Sequence, residues 1–242
     1  YNFRVNSEHK MWNGLVTVGE HVGFVWKDTR GMGTGNIWNN NLRSAFSASP
    51  IIPVYDADGN YNSTVNSDWN VNDGNPYGNM MVNRYNNSKN GSLDANVYVQ
   101  IEPIKNLRFK TVYGISCGAS EYRAYTPKYQ FTPQTANTVS KVNQSHGHGL
   151  SMVWTNTLSY DFNIATEHHI NALIGSELST YDGSNTEGSN TGLIPGFDDW
   201  DHAYLVNTNG TENKTVKGSP YDSTRGMSYF ARLGWTWKER YM

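Results

Sequence analysis

The chain has 242 residues, and its 19 Lys and Arg against 21 Asp and Glu give a formal net charge of −2. Charged residues make up 17% of the chain, below the roughly 25% of an average globular domain, and 30 Asn, 16 Tyr and 8 Trp supply much of its polarity instead. This composition excludes a highly charged disordered chain, a coiled coil and a disulfide scaffold, and it gives no indication of a nucleic-acid partner, which would favour a basic surface.

Period-two alternation of apolar and polar residues is the main structural signal, and it predicts about seven strands. In chain order these are 1–8, 13–28, 92–103, 107–124, 148–162, 167–182 and 225–240. The cleanest run is 148–162. One face there carries Leu150, Met152, Trp154 and Leu158, and the other carries Thr155, Thr157 and Ser159. Each such strand has one apolar and one polar face.

The connections alternate between short and long. Residues 9–12, 104–106 and 163–166 are predicted to be tight turns, and 29–91, 125–147 and 183–224 to be long loops. Loops of this length are uncommon in compact soluble domains, whereas short turns at one end and long extracellular loops at the other are typical of outer-membrane barrels. Aromatic residues near strand ends fit the interfacial girdles of such barrels: Trp12, Trp26, Tyr160, Trp235, Trp237 and Tyr241. A soluble sandwich is the alternative.

Two short helices are predicted inside the first long loop. One covers 40–47, where an Asn at 39–41 can cap the first turn, and the other follows Pro76 and reaches Tyr85. The chain contains no run of 18 apolar residues, so no transmembrane helix is predicted.

No motif for catalysis, a cofactor or a metal ion is found. The acidic stretch that starts at Asp56 is not an EF-hand, because Tyr61 and Ser67 stand where that loop needs Gly and Glu. His168 and His169 are neighbours in a strand and therefore face opposite ways. A nucleophile elbow, a phosphate loop and a zinc-protease helix are also missing. The sequence predicts no enzyme.

Aromatic residues among the Asn and Asp of the predicted loops indicate ligand contacts instead: Trp69, Tyr77, Tyr125, Tyr129, Trp200 and Tyr204. Aromatic faces beside acidic or amide acceptors suit sugar rings, which have apolar faces and polar rims. The densest group is predicted to contact substrate or a protein partner, and comprises Asp198, Asp199, Trp200, Asp201 and Tyr204. The alternative is that these side chains pack the loops together, with Trp200 held by Leu193, Ile194 and Phe197.

Five segments carry a family resemblance. Residues 50–61 (PIIPVYDADGNY) follow a short helical stretch, and 102–115 (EPIKNLRFKTVYGI) form a hairpin whose first strand ends in Pro. Residues 228–242 (SYFARLGWTWKERYM) form a strand that ends in a Lys-acid-Arg-Tyr turn, and 1–6 and 15–24 fit an early hairpin. Together these segments resemble the SusC/RagA-type TonB-dependent outer-membrane transporters of the Bacteroidetes.

The resemblance implies an all-β fold, an antiparallel up-and-down meander that forms part of a large outer-membrane barrel of about 22 strands with long extracellular loops. Residues 1–242 are then one partial barrel domain that lacks the plug domain, signal peptide, TonB-contacting segment and C-terminal strands.

The implied function is active import of oligosaccharides or peptides, together with a SusD-like surface lipoprotein and the TonB complex, by a protein in contact with outer-membrane lipid. No covalent chemistry is implied. A passive porin or adhesin barrel and a soluble carbohydrate-binding β-module are the alternatives.

Overall fold

The computed structural model describes residues 1–32, 40–65, 74–165, 167–219 and 222–238. Its strands are β1 (Asn2–Met11), β2 (Val16–Arg30), β3 (Asn87–Ile104), β4 (Leu107–Thr126), β5 (Tyr129–Gln130), β6 (Ala136–Asn137), β7 (Lys141–Ile164), β8 (His168–Thr191), β9 (Thr215–Gly218) and β10 (Asp222–Trp237), and its helices are α1 (Asn41–Ser47) and α2 (Pro76–Val82). The main sheet has the order β1-β2-β3-β4-β7-β8-β10, with β9 paired to β8, and β5-β6 form a small separate sheet. Each long strand pairs antiparallel with the next one, which confirms the predicted meander.

The strands are longer than the sequence pattern predicts. β7 and β8, predicted as 148–162 and 167–182, have 24 residues each, and their pairing continues without interruption to Lys141 and Thr191. The pattern ends early because the added segments are rich in Gly, Asn and Ser, which have weak strand propensity. The long loops are correspondingly shorter. We call residues 31–86 loop 1, residues 127–140 loop 2 and residues 192–214 loop 3.

Positive backbone φ angles mark the tight turns. The first turn starts at Trp12, so the prediction of a turn at 9–12 is wrong, and β1 continues through those residues to Met11. Asn13 and Gly14 have φ angles of 55° and 89°. An Asn-Gly pair is the strongest short hairpin signal in a sequence, and it marks the true position of this turn.

Asparagine side chains start both helices. The Oδ1 of Asn40 accepts a hydrogen bond from the Leu42 amide at 2.9 Å, and the Oδ1 of Asn75 accepts one from the Gly78 amide at 2.9 Å. Both helices are therefore confirmed, although α2 ends at Val82, before the predicted Tyr85. In the part of the chain that the structure describes, no helix has the length and hydropathy needed to cross a membrane.

The register assigns every strand residue to one of two faces, because directly paired residues point to the same side of the sheet. Trp154 pairs with Tyr113 on β4 and with Leu178 on β8, and Leu178 pairs with Met227 on β10. We call this side the apolar face. We call the opposite side the polar face. It carries Thr155 and every second residue from Thr155 along β7. The predicted faces of β7 are thus the two faces of the whole sheet.

No second layer of described residues covers the apolar face along most of its height. Ile174, Met227 and Leu233 are 58%, 60% and 76% exposed. The buried hydrophobic residues of the described chain lie in the loops and at adjoining strand ends: Ala124, Tyr125, Phe131, Val142, Leu193 and Ala203. A soluble sandwich would bury such a face against a second sheet, so the arrangement fits a membrane wall instead.

The apolar stretch of the strands has the length needed to cross a bilayer. On β7 it runs from Leu150 to Phe162. At about 3.4 Å per residue and a tilt of about 45°, this stretch spans roughly 30 Å, the thickness of a hydrocarbon core. Towards the long loops, the apolar face then becomes polar at Asp28, Lys89, Glu121, His148, Asp182 and Arg225. We call the apolar stretches below these residues the membrane band.

Aromatic side chains border the membrane band where the sequence predicts them. Trp26 lies at its upper end, nearest the long loops, and Trp235 and Trp237 lie at its lower end, nearest the tight turns. Tyr241, the last residue predicted for these girdles, lies outside the described residues, as does most of the predicted Lys-acid-Arg-Tyr turn.

A glycine on the polar face lets a tyrosine connect three strands. Tyr98 of β3 crosses over Gly19 of β2, and its hydroxyl donates a hydrogen bond to the Glu8 Oε2 of β1 at 2.6 Å. A Cβ atom at Gly19 would lie 2.4 Å from the Tyr98 ring, a distance that no real contact allows. The Lys110 ammonium lies 4.1 Å from the centroid of the same ring. Gly19 is therefore required for this cross-strand contact.

We expect Trp154→Arg to impair assembly of the full-length barrel, because Arg on the lipid face at the bilayer midplane costs about 2–4 kcal/mol. Thr155→Arg is the matched control. Thr155 lies on the polar face, where its hydroxyl donates to the Glu177 Oε2 at 3.0 Å. Heat-modifiable migration of outer-membrane fractions measures the folded barrel. Equal losses in the two variants would contradict the assignment of the faces.

We expect Gly19→Ala to destabilise the full-length barrel by about 1–3 kcal/mol, since the added methyl group displaces Tyr98. Gly23→Ala, on the same strand and the same face, is the control, because a Cβ atom there meets nothing closer than 3.8 Å. Urea unfolding of the barrel in detergent measures both. A control as unstable as Gly19→Ala would show that glycine matters here only for backbone freedom.

Candidate functional site

The predicted contact residues lie together in loop 3, which packs onto β4 and β7 above the membrane band. Trp200 is half-buried against a cluster formed by Tyr125, Val142, Leu193 and Ala203. The rest of the predicted group is exposed: Asp198, Asp199, Asp201 and Tyr204. The sequence predicts that Tyr125 lies in a loop, but in the structure it lies in β4 and is only 7% exposed.

Arg123 of β4 is the contact point for the two aromatic residues of the predicted group. Its guanidinium carbon lies 3.9 Å from the centroid of the Trp200 ring and 4.3 Å from that of the Tyr204 ring. Tyr85 of loop 1 stacks on Trp200, with centroids 5.8 Å apart and planes at 19°. The cation–π contacts of Arg123 attach loop 3 to the sheet, and the stacking of Tyr85 on Trp200 attaches it to loop 1.

Hydrogen bonds hold the same loop at two further points. The Tyr125 hydroxyl donates to the backbone oxygen of Asp198 at 2.9 Å and to its carboxylate at 3.1 Å. The pKa of the Tyr125 hydroxyl is raised above its ordinary value of 10. Burial is the main cause, and the negative charge of the Asp198 carboxylate is the second. The Leu205 amide donates to the Gln144 Oε1 at 2.9 Å, and the Leu205 side chain covers Gly188.

Loop 3 covers the upper part of the apolar face. On β4, Arg123 and Tyr125 lie an even number of residues after Cys117, which is on the apolar face. On β7, Val142 and Gln144 lie an even number of residues before Leu150, which is on the same face. The β4–β7 register has no shift, so these side chains stay on the apolar side of the sheet. The predicted contact group therefore lies on the opposite side of the sheet from the polar face.

An acid and a histidine pair at the surface of loop 3. The His202 Nδ1 lies 2.8 Å from the Asp199 Oδ2, and the His202 amide donates to the same carboxylate at 3.0 Å. These hydrogen bonds lower the pKa of Asp199 below its ordinary value. The described ranges contain no group of three or more His, Cys, Asp or Glu arranged to hold a metal ion.

The other predicted loop aromatics pack against one another. Tyr77 of α2 contacts Tyr61, with ring centroids 6.0 Å apart, and Tyr129 stacks on Phe131 at 4.8 Å. Phe131 is 2% exposed, and its backbone oxygen accepts a hydrogen bond from the Thr64 amide at 2.9 Å. This hydrogen bond joins loop 2 to loop 1. Trp69 lies outside the described residues. For Tyr77 and Tyr129, packing within their own loops accounts for the observed contacts.

The polar face contains a groove that the sequence analysis missed. It has a volume of about 440 Å³ and crosses β1 to β7 near mid-height. Its polar lining comprises Arg4, Asn6, His21, Asp94, Asn96, Ser116 and Ser151. The Ser116 hydroxyl donates to Asp94 at 2.5 Å, and His21 bonds to Asn6 at 2.9 Å. Such a wall offers donors and acceptors to a polar solute.

Comparison with known proteins agrees with this geometry. The chain is 25% identical, over an alignment of 256 residues, to the TonB-dependent receptor P26 of Formosa agariphila. The match covers 100% of the chain and 23% of that protein. The structure of the RagAB peptide importer in a "closed-closed" state is similar, with a TM-score of 0.70 at 18% identity over 99% of the chain and 26% of the solved one. A structure of the RagAB peptide transporter has a TM-score of 0.66 at 19% identity.

No family model matches the sequence. The chain spans about a quarter of the length of the relatives it matches. The fold of the solved importers is the same antiparallel meander, and the receptor match extends over the whole chain. These similarities agree with the resemblance in the sequence: the chain is similar along its whole length to a TonB-dependent receptor, and its antiparallel sheet has the fold of a part of the RagAB importers.

Proposed function

We propose that the full-length protein actively imports nutrients across the outer membrane, using TonB and a SusD-like surface lipoprotein. The observation that carries this proposal is the match to a TonB-dependent receptor along the whole chain, together with a sheet that has one lipid-compatible face and one polar face. Residues 1–242 form part of the barrel domain. The plug and the TonB-contacting segment belong to other parts of the full-length protein.

The role of this segment is to line the path and to hold the loops, not to catalyse a reaction. The relatives are named as a receptor and as importers. The amide and hydroxyl groups of the polar face can exchange hydrogen bonds with a passing solute without changing its covalent bonds. Such groups suit both oligopeptides and oligosaccharides, and the name of the RagAB peptide importer supports peptides as the first class to test.

Loop 3 is proposed to contact the lipoprotein. Its carboxylates at Asp198, Asp199 and Asp201 are exposed, and Tyr204 lies beside them. Because loop 3 covers the apolar side of the sheet, a partner above the membrane reaches these groups more directly than a solute beside the polar face. Trp200 positions the group through its contacts with Arg123 and the core cluster.

Uptake measurements test the import proposal. Cells that carry the full-length gene should accumulate labelled oligopeptides or oligosaccharides. When TonB is removed, uptake should fall to the level expected of cells from which the gene is deleted. Uptake that persists without TonB would indicate a passive porin. Binding without any gene-dependent uptake would indicate an adhesin. Either result would overturn the proposal.

Trp200→Ala should release loop 3 and reduce co-purification of the lipoprotein while barrel assembly stays normal. The local loss should be about 2–3 kcal/mol, below that of a fully buried tryptophan, because the ring is half-buried. Protease cleavage within loop 3 and lipoprotein yield are the two measurements. Val206→Ala, in the same loop and 84% exposed, is the control. Wild-type values in both measurements would contradict this role of Trp200.

A further inference from the structure

The groove on the polar face has a positively charged end. Arg4 of β1 lines it, and its side chain is exposed. The Arg4 Cγ lies 4.0 Å from the position that a Cβ atom would take at Gly23 of β2, so the side chain leans over this glycine. Among the described residues, no hydrogen bond or ion pair involves the guanidinium group. Its charge is therefore accessible to a solute in the groove.

A second hydrogen-bond donor lies beside this charge. Asn6 follows Arg4 by two residues on the same face of β1, and its Oδ1 lies 2.9 Å from the Nδ1 of His21. Because an amide oxygen has no proton to give, the imidazole must be the donor in this contact. The Asn6 oxygen is thereby engaged, while its NH2 group bonds no other described residue. Arg4 and Asn6 thus present N–H donors at the same end of the groove.

The one carboxylate that lines the groove lies further along it and already accepts a hydrogen bond. Asp94 of β3 is in the same row as Arg4, because both residues are in register with Gly23. Neighbouring strands are about 4.8 Å apart, so roughly 10 Å separates the backbones of Arg4 and Asp94. The Asp94 Oδ1 accepts a hydrogen bond from the Ser116 hydroxyl at 2.5 Å. An anionic group at the β1 end would therefore meet donors first.

The floor of the groove leaves room for such a group. Gly23 and Gly114 both line it, and a Cβ atom at either position would meet nothing closer than 3.8 Å. A solute can therefore approach the sheet closely beside the Arg4 side chain. The groove volume of about 440 Å³ is within the range of small-molecule sites.

We propose that this end of the groove binds a carboxylate of the imported solute, with Arg4 as its main partner and Asn6 as the second. The planar guanidinium group can donate two parallel hydrogen bonds to a carboxylate, a charged pairing that a neutral solute cannot form. His21 is a positioning residue, because it holds the Asn6 amide. The inference rests on the proposed import function and adds a preference for acidic solutes, either peptides with Asp or Glu side chains or oligosaccharides with uronic acids.

Binding to the purified full-length protein in detergent tests this preference with two matched pairs of fluorescent probes. One pair is a short peptide of Ala and Glu and the same peptide with Gln in place of Glu. The other pair is oligogalacturonate and its methyl ester. In at least one pair the carboxylate probe should bind about tenfold more tightly than its neutral partner, as expected for a charged hydrogen bond. That pair identifies the source of the carboxylate. Equal affinities within both pairs, or no binding at all, would overturn the proposal.

Substitutions test whether Arg4 causes the preference. Arg4→Gln should weaken binding of the carboxylate probe about tenfold and leave the neutral probe unchanged. Arg4→Lys should keep only part of the preference, because an ammonium group lacks the two-pronged geometry. Asn6→Ala should cause a smaller loss than Arg4→Gln. Lys27→Gln is the control, since it removes a positive charge from the polar face of β2 outside the groove.

Two results with these variants would refute the site. One is an unchanged preference in Arg4→Gln, and the other is an equal loss in Lys27→Gln, which would indicate a general effect of charge in the lumen. Heat-modifiable migration shows whether each variant is folded. Binding to the purified protein requires neither TonB nor uptake, so a failure here would leave the import proposal standing.

Discussion

The constraint on which this structure depends is that a backbone in lipid must pair all its polar groups within the protein. The sheet meets it with antiparallel pairing that is continuous through the membrane band from β1 to β10. Among the strand pairs that the structure describes, the one register shift lies between Ile101 and Ile104, beside a tight turn. Pro103 stands there, where its missing N–H removes no bond from the middle of the wall.

The apolar face of the sheet is in contact with different surroundings at different heights. Within the membrane band it is apolar and exposed in the isolated segment, as a lipid-facing surface must be. Above the band loop 3 takes the place of lipid, and its Trp200 and Leu205 pack over Tyr125 and Val142. Arg123, which is too polar for the band, is accommodated here because two aromatic rings lie over its guanidinium group.

The meander and its two faces could be predicted because alternation is a local property of each strand. The upper parts of β7 and β8 could not, since on β7 Asn143, Ser145 and Gly147 interrupt the pattern and only pairing with the neighbouring strands supports these segments. The contact of Trp200 with Arg123 joins segments that are far apart in the sequence, so neither residue alone indicates it. The acids next to Trp200 are exposed as expected, and their role in contacting substrate or partner stays a prediction.

The central claim is that one sheet separates lipid from a polar path. Single-cysteine scanning of residues 150–159 in the full-length protein, carried out in a Cys117→Ser background with a fluorophore and two quenchers, tests it most directly. Probes at Leu150, Met152, Trp154 and Leu158 should be quenched by a membrane-restricted quencher, and probes at Thr155, Thr157 and Ser159 by a water-soluble one. Loss of this alternation, with both sets shielded from both quenchers, would indicate a buried sandwich and contradict the account.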